Sequence, residues 1–183
     1  MRKLKYSEKK LLKHTDFFNW EVSNNIPEAK ALRNYNIDRR EDYVLYNKLS
    51  RKARDLVRMI KDLDKDDPFR DEYSAKCIEK MYSIGIIPMK GSLELVDKTS
   101  ASSFCRRRLG CVMVKNGMVE RISVANNLIK HGHVRVGMDV ITDPAFLVSR
   151  ALEDYITWVD SSAIKRKIME YNEGRDDYTL LNC

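Results

Sequence analysis

Between positions 99 and 159 the apolar residues switch from helical to strand spacing within one short stretch, and few folds accommodate that order. Cys105, Leu109, Val112 and Met113 fall at i, i+4, i+7 and i+8, a single stripe of one helix. Asp97, Thr99 and Ser100 offer capping oxygens ahead of it. Asn116 and Gly117 end it, because glycine enters the left-handed C-terminal conformation without steric cost. Ile122, Ala125 and Ile129 stripe a second helix that stops at Gly132. His133, Val134, Arg135 and Val136 then alternate at period two. Gly137 and Met138 turn the chain, and Asp139, Val140 and Ile141 return as the other arm of a hairpin. After the turn at Asp143 and Pro144, the β-formers of the run Tyr155, Ile156, Thr157, Trp158 and Val159 predict a closing strand.

The same stretch is strongly basic. Residues 99–135 hold seven Lys/Arg (Arg106, Arg107, Arg108, Lys115, Arg121, Lys130, Arg135) against one acid, Glu120, a net +6. Arg108 and Lys115, seven apart, share a helix face bordering the apolar stripe, so packing would hold these cations in place. Such a surface suits phosphate backbones, since each neutralised phosphate releases a counterion. A solvated basic helix face accounts for the charge equally well. Elsewhere the balance is +5 over residues 1–40, 0 over 41–98 and −4 over 136–183, which sums to the chain's +7. Positive charge thus concentrates at the N-terminus and in the 99–135 stretch. It points to an acidic partner: nucleic acid, membrane surface or protein.

Upstream, residues 1–20 mix basic clusters with Leu4, Leu11 and Phe18 at heptad-like spacing, as in a short amphipathic helix. Docking on RNA or a protein suits it better than a membrane, because the apolar face is thin; alternatively Phe17 and Trp20 pack on the domain. Residues 21–37, with Ser23, Asn24 and Pro27, read as a loop or linker. Asp38 with Glu41 predicts a capping-box start for the longest periodic element, whose seam runs Tyr46, Leu49, Ala53, Leu56, Ile60, Leu63. Asp67 and Pro68 open a further helix carrying Phe69, Tyr73, Cys77, Ile78 and Met81 on its apolar side, closed by Gly85 and kept closed by Pro88. Asp160, Ser161 and Ser162 cap a last helix with Ile164, Ile168 and Tyr171, ahead of Gly174 and the acidic pair Asp176 and Asp177.

The fold expected is α+β. It comprises a basic N-terminal segment (1–20), a helical platform (21–98), a two-helix-plus-bent-sheet module of the alpha-L type (99–160), and a C-terminal helix with an acidic tail (161–183). No apolar run approaches the roughly 18 residues of a membrane span, and no apolar stretch follows the basic N-terminus as in a secretory signal. Cys77, Cys105, Cys111 and Cys183 form no CxxC pair and sit at no zinc spacing with histidine, so they read as reduced thiols filling core.

The order Arg107, Arg108, Leu109; Gly117; Leu128, Ile129; His131, Gly132, His133, Val134; Asp143, Pro144; then Asp154 through Val159 resembles the RNA-binding module of the small-subunit ribosomal protein four family. Glu120 stands where that family has a small capping residue, and the hairpin turn lacks Asn-Gly. A wider set extends the likeness nearly end to end. It includes Lys9, Lys10, Leu11, Leu12; Asp16, Phe17, Trp20; Arg39 to Tyr43; Asp67 to Arg70; Gly91 to Leu95; and Glu153 to Asp160. With these, the chain is similar to the family of third IMP subunits of the U3 small nucleolar ribonucleoprotein, paralogues of that ribosomal protein.

The resemblance implies a non-catalytic nucleolar subunit that binds U3 small nucleolar RNA, promotes its pairing with precursor 18S rRNA and docks on the acidic scaffold M-phase phosphoprotein ten and other processome proteins. It carries RNA contacts onto Arg106, Arg107, Arg108, Lys115, Lys130, His131, His133 and Arg135, and less directly onto Arg2, Lys3 and Lys5. Arg107→Ala and Arg108→Ala are then expected to weaken RNA binding with little change in stability. The sequence shows no P-loop, dinucleotide turn or HExxH, so no cofactor, metal or small-molecule ligand is expected. A structural ribosomal protein is the alternative. An RNA-modifying enzyme such as a pseudouridine synthase would need a separate catalytic domain, for which the helical platform leaves little room.

Overall fold

The computed structural model describes residues 2–14, 25–64, 66–172 and 174. Its helices are α1 (Tyr6–His14), α2 (Asn25–Asn34), α3 (Arg40–Lys61), α4 (Pro68–Ile84), α5 (Leu93–Asp97), α6 (Ala101–Cys105), α7 (Leu109–Lys115), α8 (Ile122–Lys130), α9 (Arg150–Glu153) and α10 (Ala163–Tyr171). Its strands are β1 (Val134–Val136), β2 (Asp139–Val140) and β3 (Ile156–Trp158). The α+β expectation holds, with a helical first half, a small sheet behind two helices, and a closing helix.

The sheet runs β2-β1-β3, all antiparallel, with Val136 opposite Asp139 on one side and Ile156 on the other. Gly137 alone takes the left-handed φ (64°) that the two-residue hairpin turn demands. Val134 and Val136 point into the core, and α7 and α8 pack together above them. Leu109, Val112, Met113, Ala125, Ile129 and Val148 complete that core, fully excluded from solvent.

In the first half, two further cores are organised by α3. One joins Tyr46 and Ile37 to Ala101, Phe104 and Cys105 of α6; the other joins Ala53 and Val57 to Ile87 and Val96. Burial pushes the Cys105 thiol up to about 11, so it stays a protonated core filler. Helix α4 begins as its sequence predicts. Asp67 accepts from the Phe69 amide, Pro68 takes the first helical position, and Gly85 ends the helix at φ 86°. Ser162 caps α10 by accepting from the Ile164 amide.

Several expectations need correction. Residues 25–34 are helix α2, not loop: Pro27 falls in the first turn, where its missing N–H costs nothing, and Ala31 is buried. Asp38 does not cap α3; Arg39 occupies the N-cap without a side-chain bond, while Asp38 pairs with Lys130. The α3 seam runs Tyr46, Ser50, Ala53, Val57, Ile60, leaving Leu49 and Leu56 exposed. Ser50 fits that interior because its hydroxyl donates to the Asn47 carbonyl.

The first module helix is two helices, broken at residues 106–108. A turn closes α6, and at Arg108 the chain becomes extended and pairs with residues 146–148. The Leu109 amide donates to the Phe146 carbonyl, Val148 N donates to Arg107 O, and Arg108 bridges Leu147. Helix α1 exists but buries none of its residues. Phe17, Phe18, Trp20, Ser23, Asn24, Asp176, Asp177 and Cys183 lie outside the described residues.

Candidate nucleic-acid interface

The three consecutive arginines separate by geometry. Arg106 and Arg107 form the turn that closes α6 and Arg108 takes an extended conformation, so the three side chains diverge: Arg106 is exposed, and Arg107 and Arg108 are buried. Arg107 donates through Nε and Nη2 to the Val148 carbonyl (2.9 and 2.7 Å) and through Nη1 to Glu153 (2.9 Å). Arg108 donates to Asp42 and to the Tyr46 phenol, each at 3.1 Å, and Tyr46 in turn donates to the Ala145 carbonyl. Burial opposes the Arg108 charge, but Tyr46 and Asp42 together outweigh it and its pKa is raised. The Arg107 and Arg108 guanidiniums therefore do not lie on the surface as the sequence implied. They clamp the module to its own flank and to α3, because a buried guanidinium must find partners for its donors.

Arg106, in contrast, is held among the described residues only by a long bond to the Tyr35 hydroxyl (3.4 Å). Lys115, at the end of α7, reaches Glu153 at 2.6 Å, and Lys130, at the end of α8, reaches Asp38 at 2.5 Å. On β1, Arg135 donates to Thr157, its cross-strand neighbour on β3, and to Asp160 (2.9 and 2.7 Å). Lys115 first, with Arg107 adding to it, holds the Glu153 carboxyl below its ordinary range against the burial that raises it.

The two module histidines flank Gly132, with ring centres 6.3 Å apart. His131, an exposed residue, donates through Nδ1 to the Asn127 carbonyl at 2.6 Å, since a carbonyl only accepts. His133 Nδ1 lies 3.0 Å from the Ser162 hydroxyl at the start of α10. No group of three His, Cys, Asp or Glu among the described residues is placed to hold a metal ion. At the N-terminus Arg2 pairs with Glu8, whose carboxylate also accepts from the Lys5 amide; Lys3 and Lys5 side chains are exposed.

Tyr46 has a place in the α3 seam expected from the sequence, and Asp42 and Glu153 in the family likeness, but the sequence did not mark the three as partners of buried arginines, and it did not single out Arg150. Arg150 donates to the Tyr82, Ile87 and Pro88 carbonyls and lies 4.2 Å over the Tyr82 ring, tying α9 to the end of α4. Asn126 likewise spans the two halves, donating from α8 to the Asn36 carbonyl at 2.9 Å. Asp42 and Tyr46 stand at i, i+4 on the first turns of α3, the one local signal of a shared partner. No helix among the described residues is long and apolar enough to cross a membrane.

Taken together, the module presents Arg106, Lys115, Arg121, Lys130, His131 and Arg135 to solvent, on elements whose packing fixes where they stand. Cations held this way suit a polyanion of defined shape.

Comparisons agree in kind. The family described as ribosomal protein S4/S9 N-terminal domain matches residues 3–106, and that described as S4 domain matches residues 107–154. The chain is 54% identical over 181 residues to the U3 small nucleolar ribonucleoprotein protein IMP3 of Mus musculus, covering 98% of each chain. It is 40% identical to the protein of that name from Saccharomyces cerevisiae, covering 97% of this chain and 98% of that one. Similarity extends at 23% identity to the small ribosomal subunit protein uS4 of Nanoarchaeum equitans, over 79% of this chain and 81% of that one.

Proposed function

Because the chain belongs to the family of U3 small nucleolar ribonucleoprotein IMP3 proteins and carries an S4 domain, we propose that it is a non-catalytic RNA-binding subunit of that particle, acting in rRNA processing and ribosome biogenesis. It binds U3 small nucleolar RNA, helps it pair with precursor 18S rRNA in the nucleolar small-subunit processome, and docks on M-phase phosphoprotein ten. The observation that carries this reading is 54% identity sustained across 98% of both chains, which leaves no segment of appreciable length outside the likeness.

Physical chemistry supplies a route. Two RNA strands repel through their phosphates, and fixed cations beside both lower that repulsion and favour pairing. Arg106, Lys115, Lys130, His131, His133 and Arg135 make the RNA contacts of the module, and the basic segment with Arg2, Lys3 and Lys5 engages further RNA. Arg107 and Arg108 hold the module in shape behind them.

Immunoprecipitation of the tagged protein from nuclear extract tests the assignment. Recovery of U3 RNA and M-phase phosphoprotein ten, with sedimentation apart from mature 40S particles, supports it. Stable residence in mature 40S particles supports instead a structural ribosomal protein, the direction in which the uS4 likeness points.

A further inference from the structure

Three cations of the module, Lys115 and Lys130 exposed and Arg135 half-buried, are each already matched by a carboxylate from a different element. Lys115 faces Glu153 at the end of α9, and Lys130 faces Asp38 in the turn between α2 and α3. Arg135 faces Asp160 in the turn before α10, and Asp160 also holds Lys165. Glu153 is needed elsewhere, since it also receives the buried Arg107. Asp38 and Asp160 are not: both are exposed, and among the described residues their ion pairs are with cations that are themselves at least partly open to water. Pairs this exposed contribute little to folding, because water screens them and two long side chains lose freedom in making them. Their effect falls on a ligand instead. A phosphate approaching Lys130 or Arg135 meets a fixed negative charge within 2.5–2.7 Å of the cation it seeks.

Building on the RNA-binding reading above, we infer that Asp38 and Asp160 are specificity-determining residues that act as built-in competitors for phosphate. In the free protein they occupy Lys130 and Arg135 as a bound counterion would. An isolated phosphate on a flexible strand displaces one carboxylate and gains only the difference between two similar ion pairs. A folded RNA that presents phosphates to both cations together displaces both carboxylates in one binding event, so the second exchange carries no fresh cost of bringing the partners together. The carboxylates thereby penalise unstructured RNA more than structured RNA, a case of discrimination by repulsion of the wrong partner.

Asp38→Asn and Asp160→Asn, singly and together, test this, because asparagine keeps the size and a hydrogen-bond acceptor while removing the charge. Affinities of the full-length chain for a poly(U) oligonucleotide and for U3 RNA are measured by filter binding over a salt series. The double variant is expected to bind poly(U) roughly three- to tenfold more tightly, with a steeper salt dependence, while U3 RNA affinity changes less and the U3-to-poly(U) ratio falls. Glu72→Gln on α4 removes an equally exposed carboxylate, one that pairs with Lys76, and is expected to leave poly(U) binding unchanged. Unchanged poly(U) affinity in the double variant, a loss of U3 affinity, or an equal gain from Glu72→Gln each overturns the inference while leaving RNA binding intact. A wild-type chain that binds neither RNA with salt dependence overturns the RNA-binding reading itself, and this inference with it.

Discussion

Arg108 and Tyr46 meet in the interior, guanidinium to phenol oxygen at 3.1 Å, from positions 62 residues apart in the chain. Tyr46 stands on the long helix of the platform, and Arg108 stands where the module's first helix breaks. Asp42 closes the group from one helical turn before Tyr46. This contact, with Arg107 on the Val148 carbonyl and Glu153, converts two arginines that resemble RNA ligands into the joint between the halves.

Arg108→Ala and Arg107→Ala are therefore expected to destabilise the fold, by about 2–4 kcal/mol each, since each strands partly buried partners. Equilibrium unfolding in denaturant measures it. Arg107→Lys is expected to rescue little, because an ammonium cannot reproduce two parallel bonds to one carbonyl together with a third to Glu153. Full stability of the alanine variants would return both arginines to the RNA-contacting set.

Gly85→Ala is expected to cost about 1–3 kcal/mol. Its φ is +86°, and a Cβ there would lie 2.7 Å from Arg107 Cζ, so strain and displacement of the clamp coincide. A thermal melt reads the loss. A substitution at Gly117, also at positive φ but with nothing within 4 Å, is expected to show the backbone cost alone.

Acid stability carries the mark of Glu153. Its pKa in the folded protein is lowered from 4.5, chiefly by Lys115, so folding favours the ionised form. The resulting stabilisation is complete above pH 4.5 and disappears as pH falls through the lower folded value. Glu153→Gln is expected to flatten the pH dependence of the unfolding midpoint in that acid range. An unaltered slope would show that the pair contributes nothing.

Lys130→Ala and Arg135→Ala are expected to weaken U3 RNA binding with melting temperature nearly unchanged, because both side chains sit in water-exposed pairs. Each is expected to lower the salt dependence by about one phosphate equivalent. Binding isotherms over a salt series decide it; a retained slope would mean that the residue touches no phosphate.

Local pattern made much of this fold legible. The stripe Cys105, Leu109, Val112, Met113 is fully buried, and the stops at Gly117 and Gly132 and the hairpin at Gly137 stand where glycine was needed. The opening of α4 at Pro68 and the cap of α10 at Ser162 also matched, since caps depend on atoms a few residues away. The α3 seam did not: Leu49 and Ser50 are adjacent, and only the neighbouring α5 and α6 decide which of them turns inward.

What the amino-acid order determined by itself was most of the succession of helices and strands, though not α2 or the break between α6 and α7, together with the family and the total positive charge, because each is a property of near neighbours or of composition. Tertiary structure alone decided which cations face water. Charge is additive along a chain, but exposure depends on what folds over each residue. Residues 146–148 and the Asp42–Tyr46 turn, distant in sequence, draw in Arg107 and Arg108 and leave Arg106 outside.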